Sequence, residues 1–290
     1  MSPTPLDAWL AGHSYLQPLA RFTAQVDEAA ARIETPRAAI PDWNGYTEDY
    51  RSGVPLLRSP DAGVDLQPAG RMTVAILERL SASGTGTLMA DIPALNAQLR
   101  KDPDAPRRLA GWLIGEEMLE LPGSGLLQYV AWRAAARYLA PVVEAYGRWR
   151  DEERWLRRYC PACGSAPAMA QLISADSGRV RLLCCGACGT RWRYVRTACP
   201  FCEKDAQRLA VVTIEGESGL RLDYCESCRG YLKTYDGQGQ EAVLLLDWTS
   251  LHLDMVARER GLQRLAGSLY DLGSLMAPEA TPPGGLVPSR

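Results

Sequence analysis

Residues 160–164 read CPACG, 185–188 CGAC, 199–202 CPFC and 225–228 CESC, and the spacing of these cysteines decides how the chain is read. Two cysteines separated by two residues put both sulfurs on one ion across a tight turn. Two such turns supply the four thiolates of a tetrahedral site. The pairs Cys160/Cys163 and Cys185/Cys188 recur 39 and 40 residues later as Cys199/Cys202 and Cys225/Cys228, so the stretch is a tandem duplication. In each copy a Ser-Gly turn (Ser177-Gly178; Ser218-Gly219) leads a short strand (RVRLLC; LRLDYC) into the second pair, and an aromatic strand follows (TRWRYV; GYLKTY). The loops between paired turns are 21 and 22 residues long, enough for a hairpin carrying both turns. Sequential pairing within each copy is expected; crossed pairing between copies is the alternative.

A copy of roughly 40 residues is too small to bury a core that offsets its chain entropy. A bound ion then contributes much of the folding energy, about 10–16 kcal/mol for structural zinc in small peptides. The expected cofactors are two metal ions, iron or zinc, each in a four-cysteine site: one held by Cys160, Cys163, Cys185 and Cys188, the other by Cys199, Cys202, Cys225 and Cys228. The ninth cysteine, Cys184, aligns with Tyr224 of the second copy and is read as a strand residue outside both sites. A disulfide framework is disfavoured because the start, MSPTPLDAWLAGH, lacks the basic and apolar regions of an export signal. A cytoplasmic location is expected, with no membrane span, since no apolar run approaches the ~18 residues that one needs.

Outward from this window, the 290 residues carry 47% apolar and 23% charged side chains and a formal charge of −2, which is ordinary for a globular chain. Bulk charge makes no case for nucleic acid, which is not an expected partner. The first 159 residues contain no cysteine and read as helical. Leu127, Val130, Ala131, Ala134, Tyr138, Val142 and Trp149 recur at helical spacing, with Pro141 expected to kink or restart that helix. Similar patterns run over residues 6–33, 72–80 and 107–119, whereas residues 46–57 read as a packed loop. After Glu241 a strand-like AVLLL run precedes a helix that starts near Asp247 and carries Leu251, Met255 and Val256. The fold class is α+β. A helical domain (1–156) is followed by a first rubredoxin-like or zinc-ribbon domain (157–197). A second such domain with a C-terminal helix (198–275) and a flexible tail (276–290) complete the chain.

Charge separates the copies: residues 154–196 hold eight arginines against Asp176, while 203–247 hold nine acids and five bases. Arg191, Trp192 and Arg193 are therefore expected on a partner-binding face, unless the arginines only offset the charge of a four-thiolate site. Asp247 and Asp254 are candidates for the same docking surface, with helix capping the other reading of Asp247. The two histidines, His13 and His252, lie outside the cysteine window, and His13 is read as a packed or surface residue. Glu116, Glu117 and Glu120 read as a solvated helix face. No GxSxG, HExxH or P-loop occurs and no catalytic residue is assigned, so the chain is not expected to be an enzyme.

The CPACGS, CGACGTRWRYVRTACPFC and YCESCRGYLKTY segments, with DWTSLHLD at 247–254 and Glu259-Arg260-Gly261 beyond it, resemble the formate dehydrogenase accessory protein FdhE family. The match is clear over residues 157–264. The resemblance implies a cytoplasmic maturation factor whose partner is the catalytic subunit of a respiratory formate dehydrogenase, bound before export, with the four CxxC pairs as rubredoxin-like iron or zinc sites. Two other readings stand beside it: a redox-active electron carrier or sensor in the same maturation, and a zinc-ribbon nucleic-acid binder using the first ribbon, with Trp192 and Tyr194 stacking on bases. The site model is tested by metal content: Cys160→Ser with Cys163→Ser is expected to lose one equivalent and unfold the first ribbon, while Cys184→Ser keeps both.

Overall fold

A computed structural model describes residues 3–84, 86–119, 123–176, 178–217 and 219–270. Helix α1 (Pro5–Gly12) starts at a capping box in which Thr4 and Asp7 exchange hydrogen bonds, and a short 3-10 turn leads into α2 (Gln17–Ala31). The expected loop at 46–57 is instead mostly helix, α3 (Trp43–Ser52), followed by a 3-10 turn at Leu56–Arg58. Asp42 caps it by accepting from the Asn44 N–H, and Gly53 closes it in the left-handed conformation (φ 88°). Its apolar face is aromatic, with Tyr46 and Tyr50 four residues apart against Tyr146, Trp149 and Trp155, a stripe that an aliphatic pattern search passes over.

Helices α4 (Gln67–Ser83), α5 (Ile92–Leu99), α6 (Ala105–Leu113) and α7 (Ser124–Trp149) complete the helical part. Gly70 of α4 lies so close to α6 that a Cβ there would sit 2.0 Å from the Pro106 carbonyl oxygen, so the crossing requires glycine. The central helix α7 buries Leu127, Val130, Ala131, Ala134, Tyr138 and Val142, as its pattern predicts. It also runs as one helix through Pro141, so the chain does not restart there. Pro141 and Arg137 are both exposed, so the carbonyl that loses its helical partner faces solvent. The helix at 107–119 ends earlier, at Leu113. Glu117 lies beyond it and pairs with Arg107 and Arg108, and Glu120 lies outside the described residues.

The duplicated half forms six strands: β1 (Met169–Ala175), β2 (Gly178–Cys184), β3 (Arg191–Tyr194), β4 (Leu209–Thr213), β5 (Leu220–Cys225) and β6 (Tyr231–Asp236). Each copy is a three-stranded antiparallel meander. The two merge into one sheet of order β3-β2-β1-β6-β5-β4 through a parallel pairing of β1 with β6, Met169 opposite Lys233 and Leu172 opposite Asp236. Ser177 and Ser218 of the predicted turns, and the predicted tail 276–290, lie outside the described residues.

The AVLLL run is a helical turn, α8 (Glu241–Leu244), where a strand was expected. It follows β6, whose two sides are already paired with β1 and β5, so no sheet edge is available there. Val243 and Leu244 instead fill a second core with Leu220, Leu222, Leu253 and Ala257. A 3-10 turn at Asp247–Ser250 then leads into α9 (Leu251–Glu259), the predicted C-terminal helix.

A buried ionic cluster fastens this segment to the sheet. Lys233 of β6, 1% exposed, pairs with Asp247 at 2.7 Å and Asp254 at 2.8 Å, and Arg264 completes a neutral quartet at 2.7 and 3.0 Å. Tyr231 and Ser268 donate further hydrogen bonds to the two carboxylates. Burial alone would raise the Asp247 carboxyl, but the Lys233 ammonium and the Arg264 guanidinium hold it well below its ordinary value of 3.8. Its lowered pKa gives stability that is complete above that value and is lost only as pH falls below it. Removing one partner leaves charge stranded in the interior, so Lys233→Met is expected to cost about 3–5 kcal/mol in urea unfolding at pH 7. A loss under about 1 kcal/mol contradicts the role given to the cluster.

Candidate metal centres

The four knuckles share one backbone grammar. The N–H of each first cysteine donates to the carbonyl five residues on: Cys160 to Ser165, Cys185 to Thr190, Cys199 to Lys204 and Cys225 to Gly230, at 2.8–2.9 Å. The residue after each second cysteine is left-handed: Gly164 (φ 80°), Gly189 (φ 74°), Glu203 (φ 60°) and Arg229 (φ 58°). The first copy meets this requirement with glycine. The second carries side chains in a region that costs L-residues roughly 1–2 kcal/mol each.

These turns converge in sequential pairs. Cys160, Cys163, Cys185 and Cys188 form one cluster and Cys199, Cys202, Cys225 and Cys228 the other, with the sulfurs of each within 4.8 Å of one another. Sulfur separations of 3.5 Å (Cys160–Cys188), 3.4 Å (Cys163–Cys185), 3.8 Å (Cys199–Cys228) and 3.7 Å (Cys202–Cys225) are far too long for disulfides. They match the edge of a thiolate tetrahedron, about 3.8 Å for metal–sulfur bonds of ~2.3 Å. The Cys188 and Phe201 N–H groups point at the Cys185 and Cys199 sulfurs, the donors that a thiolate needs. Both clusters can therefore hold a metal ion, and the donor set suits zinc and iron alike. Cys184 lies outside both, and burial pushes its thiol up to about 12, as befits an inert strand residue.

The clusters differ in surroundings. The first sits inside the helical core: the Leu56 and Leu57 N–H groups donate to the Pro161 and Ala162 carbonyls at 2.9 and 2.8 Å, and Tyr146 donates to Pro161 from α7. Its four cysteines are all buried. In the second, Cys202 and Cys228 are only half-buried.

The structure turns three of the five residues expected on a partner face inward. Trp192 is 1% exposed and donates to the Arg157 carbonyl, while Asp247 and Asp254 lie in the buried quartet. Asp247 caps no helix through its side chain. Tyr194 is buried as well, so neither aromatic is free to stack on a base. Arg191 and Arg193 remain at the surface, bonded to Gln171 and Glu153. Reading the sequence missed Lys233 and Arg264, because an isolated basic residue carries no mark of burial.

Residues 159–196 match the model of the FdhE central domain. The protein FdhE homolog of Aquifex aeolicus is 32% identical over 130 residues, 43% of this chain and 46% of that relative. The homolog of Pseudomonas aeruginosa is 37% identical over 124 residues, 39% of each, and protein FdhE of Escherichia coli O1:K1 is 29% identical over 136 residues, 46% and 44%. The matched segments thus span less than half the length of these curated relatives. By structure the likeness is wider: the crystal structure of the FdhE protein from Pseudomonas aeruginosa superposes with a TM-score of 0.58 at 25% identity over 88% of both chains. The resemblance to the FdhE family is borne out, as is the fold class of helices, two four-cysteine clusters on a sheet and a C-terminal helix.

The unequal burial of the clusters predicts unequal metal release. Zinc-loaded protein mixed with a chromophoric chelator is expected to give up one equivalent quickly from the second cluster and one slowly from the first. Cys225→Ser should remove only the fast phase. A single phase for both equivalents contradicts this assignment.

Proposed function

We propose that this chain is an accessory protein in formate dehydrogenase maturation, which binds the catalytic subunit before export and does no chemistry on it. The reading rests on the joint occurrence of an FdhE-like fold over most of the chain with two four-cysteine clusters. In this proposal the eight paired cysteines hold two ions, iron or zinc, whose task is to fix the knuckles and the sheet as a docking platform. Arg191 is its exposed member and Arg193 its half-buried one. Trp192, Asp247 and Asp254 support it from beneath by anchoring β3 and the C-terminal segment. The expected location of such a factor is the cytoplasm.

A second reading, electron transfer or redox sensing toward the client, is favoured by the half-buried Cys202 and Cys228, because an exchanging redox centre needs an exposed edge. Protein purified without oxygen separates the two. Two equivalents of iron with thiolate charge-transfer absorption support the redox reading, and full client activity with colourless zinc protein removes it.

The accessory role itself is tested by co-purification from cells making both proteins. The intact chain is expected to retain the formate dehydrogenase catalytic subunit, and Cys160→Ser with Cys163→Ser to lose at least tenfold of it. No recovery with all eight paired cysteines present overturns the proposal.

A further inference from the structure

Three segments remote in sequence bring His13, Glu217 and His252 together, with their ligating atoms within 4.8 Å of one another. His13 ends α1, Glu217 sits in the turn between β4 and β5, and His252 lies on α9. Glu217 Oε1 is the common point, 3.3 Å from His13 Nε2 and 3.0 Å from His252 Nε2. For bonds of ~2.1 Å at tetrahedral angles, neighbouring donors lie about 3.4 Å apart, close to both separations.

The second atoms of the two rings are already engaged. His13 Nδ1 lies 2.9 Å from the Trp9 carbonyl oxygen. A carbonyl only accepts, so in the neutral ring Nδ1 carries the proton and Nε2 presents its lone pair to a carboxylate oxygen. Two lone pairs at this distance repel unless a proton or a metal ion lies between them. His252 Nδ1 is 2.9 Å from the Tyr15 hydroxyl. Its Nε2 is buried and, although near Glu217 Oε1, is off the line of a hydrogen bond and has no other partner. A proton satisfies one nitrogen, whereas a metal ion satisfies both nitrogens and Oε1 at once.

The frame is also built. The Trp9 ring stacks on His13 with centroids 4.0 Å apart, and the Trp9 Nε1–H donates to the Thr249 carbonyl at 3.0 Å, tying α1 to the turn before α9. Gly216, left-handed at φ 85°, turns the hairpin so that the Glu217 N–H donates to the Ile214 carbonyl. Carbonyl and hydroxyl partners on the non-ligating imidazole nitrogens are the outer contacts that histidine ligands use.

The geometry points to a third metal site, in which His13 Nε2, His252 Nε2 and Glu217 Oε1 bind one divalent first-row transition ion. Two imidazoles and a carboxylate suit Zn(II), Fe(II), Co(II) or Ni(II) better than calcium or magnesium. Three protein donors leave a position for water or a small ligand, and the side chains of all three are 14–19% exposed, so an ion can enter. The site joins the two ends of the described chain and is independent of the accessory role proposed above.

The test titrates Co(II) into protein whose two four-cysteine clusters are filled with zinc, followed by metal analysis and visible spectroscopy. A third equivalent is expected, with nitrogen/oxygen ligand-field bands and without the intense thiolate-to-cobalt absorption that displacement of zinc would give. Glu217→Gln and His252→Ala should weaken it at least tenfold with both zinc ions retained, and Tyr15→Phe about tenfold. In the unmodified protein, zinc should shift the Nε2 resonances of both histidines. A stoichiometry that stays at two, a third equivalent undiminished in both ligand variants, or Nε2 resonances unmoved by zinc overturns the site.

Discussion

Eight sulfurs gathered at the ends of two hairpins are the constraint from which the sheet half of this molecule follows. Each knuckle must turn within four residues, point two thiols the same way and send the chain back as a strand. The N–H of the first cysteine and a left-handed residue after the second do this four times over. Once the turns are set, the register of β2 and β5 is set with them, because β2 ends at Cys184, directly before the knuckle residue Cys185, and β5 ends on the knuckle residue Cys225.

The two copies have diverged in what they lean on. The first keeps glycine at both left-handed positions, and its CPAC turn is gripped by backbone hydrogen bonds from Leu56 and Leu57. Its four-cysteine cluster is thereby part of the helical core. The second tolerates Glu203 and Arg229 at the same positions and stands at the surface. What holds it is the Lys233, Asp247, Asp254 and Arg264 quartet, which couples β6 to the segment entering α9. One ribbon is embedded and the other moored by charge, an arrangement suited to a rigid frame with one accessible centre.

Much of this was legible because cysteine spacing is a local code. The pairs, their sequential closure, the exclusion of Cys184 and the strands beside them follow from counting residues. The helices with aliphatic stripes, such as α7, were legible for the same reason. What was not legible depends on partners distant in sequence. Residues 46–57 look like a loop until the aromatics of α7 and Trp155 are placed against Tyr46 and Tyr50. The run 242–246 looks like a strand until both sides of β6 are found to be occupied. Asp247 and Asp254 look like surface acids because nothing near them announces Lys233, and His13 and His252 are single letters 239 positions apart.

The parallel union of β1 with β6 joins the first strand of one repeat to the last strand of the other, which is a head-to-tail contact rather than a symmetric one. Contacts of that kind do not close on themselves. The strands left at the rims, β3 and β4, are again a last strand and a first strand, the same complementary pair, so a sheet built this way is a polymer stopped at two units. The stop is visible at one rim. Arg150 donates to the Arg191 carbonyl at 2.5 Å and Glu152 accepts the Arg193 N–H, so the residues leaving α7 occupy hydrogen-bonding positions that a third ribbon would need. The helical half thus acts as a chain terminator for the array that gene duplication began.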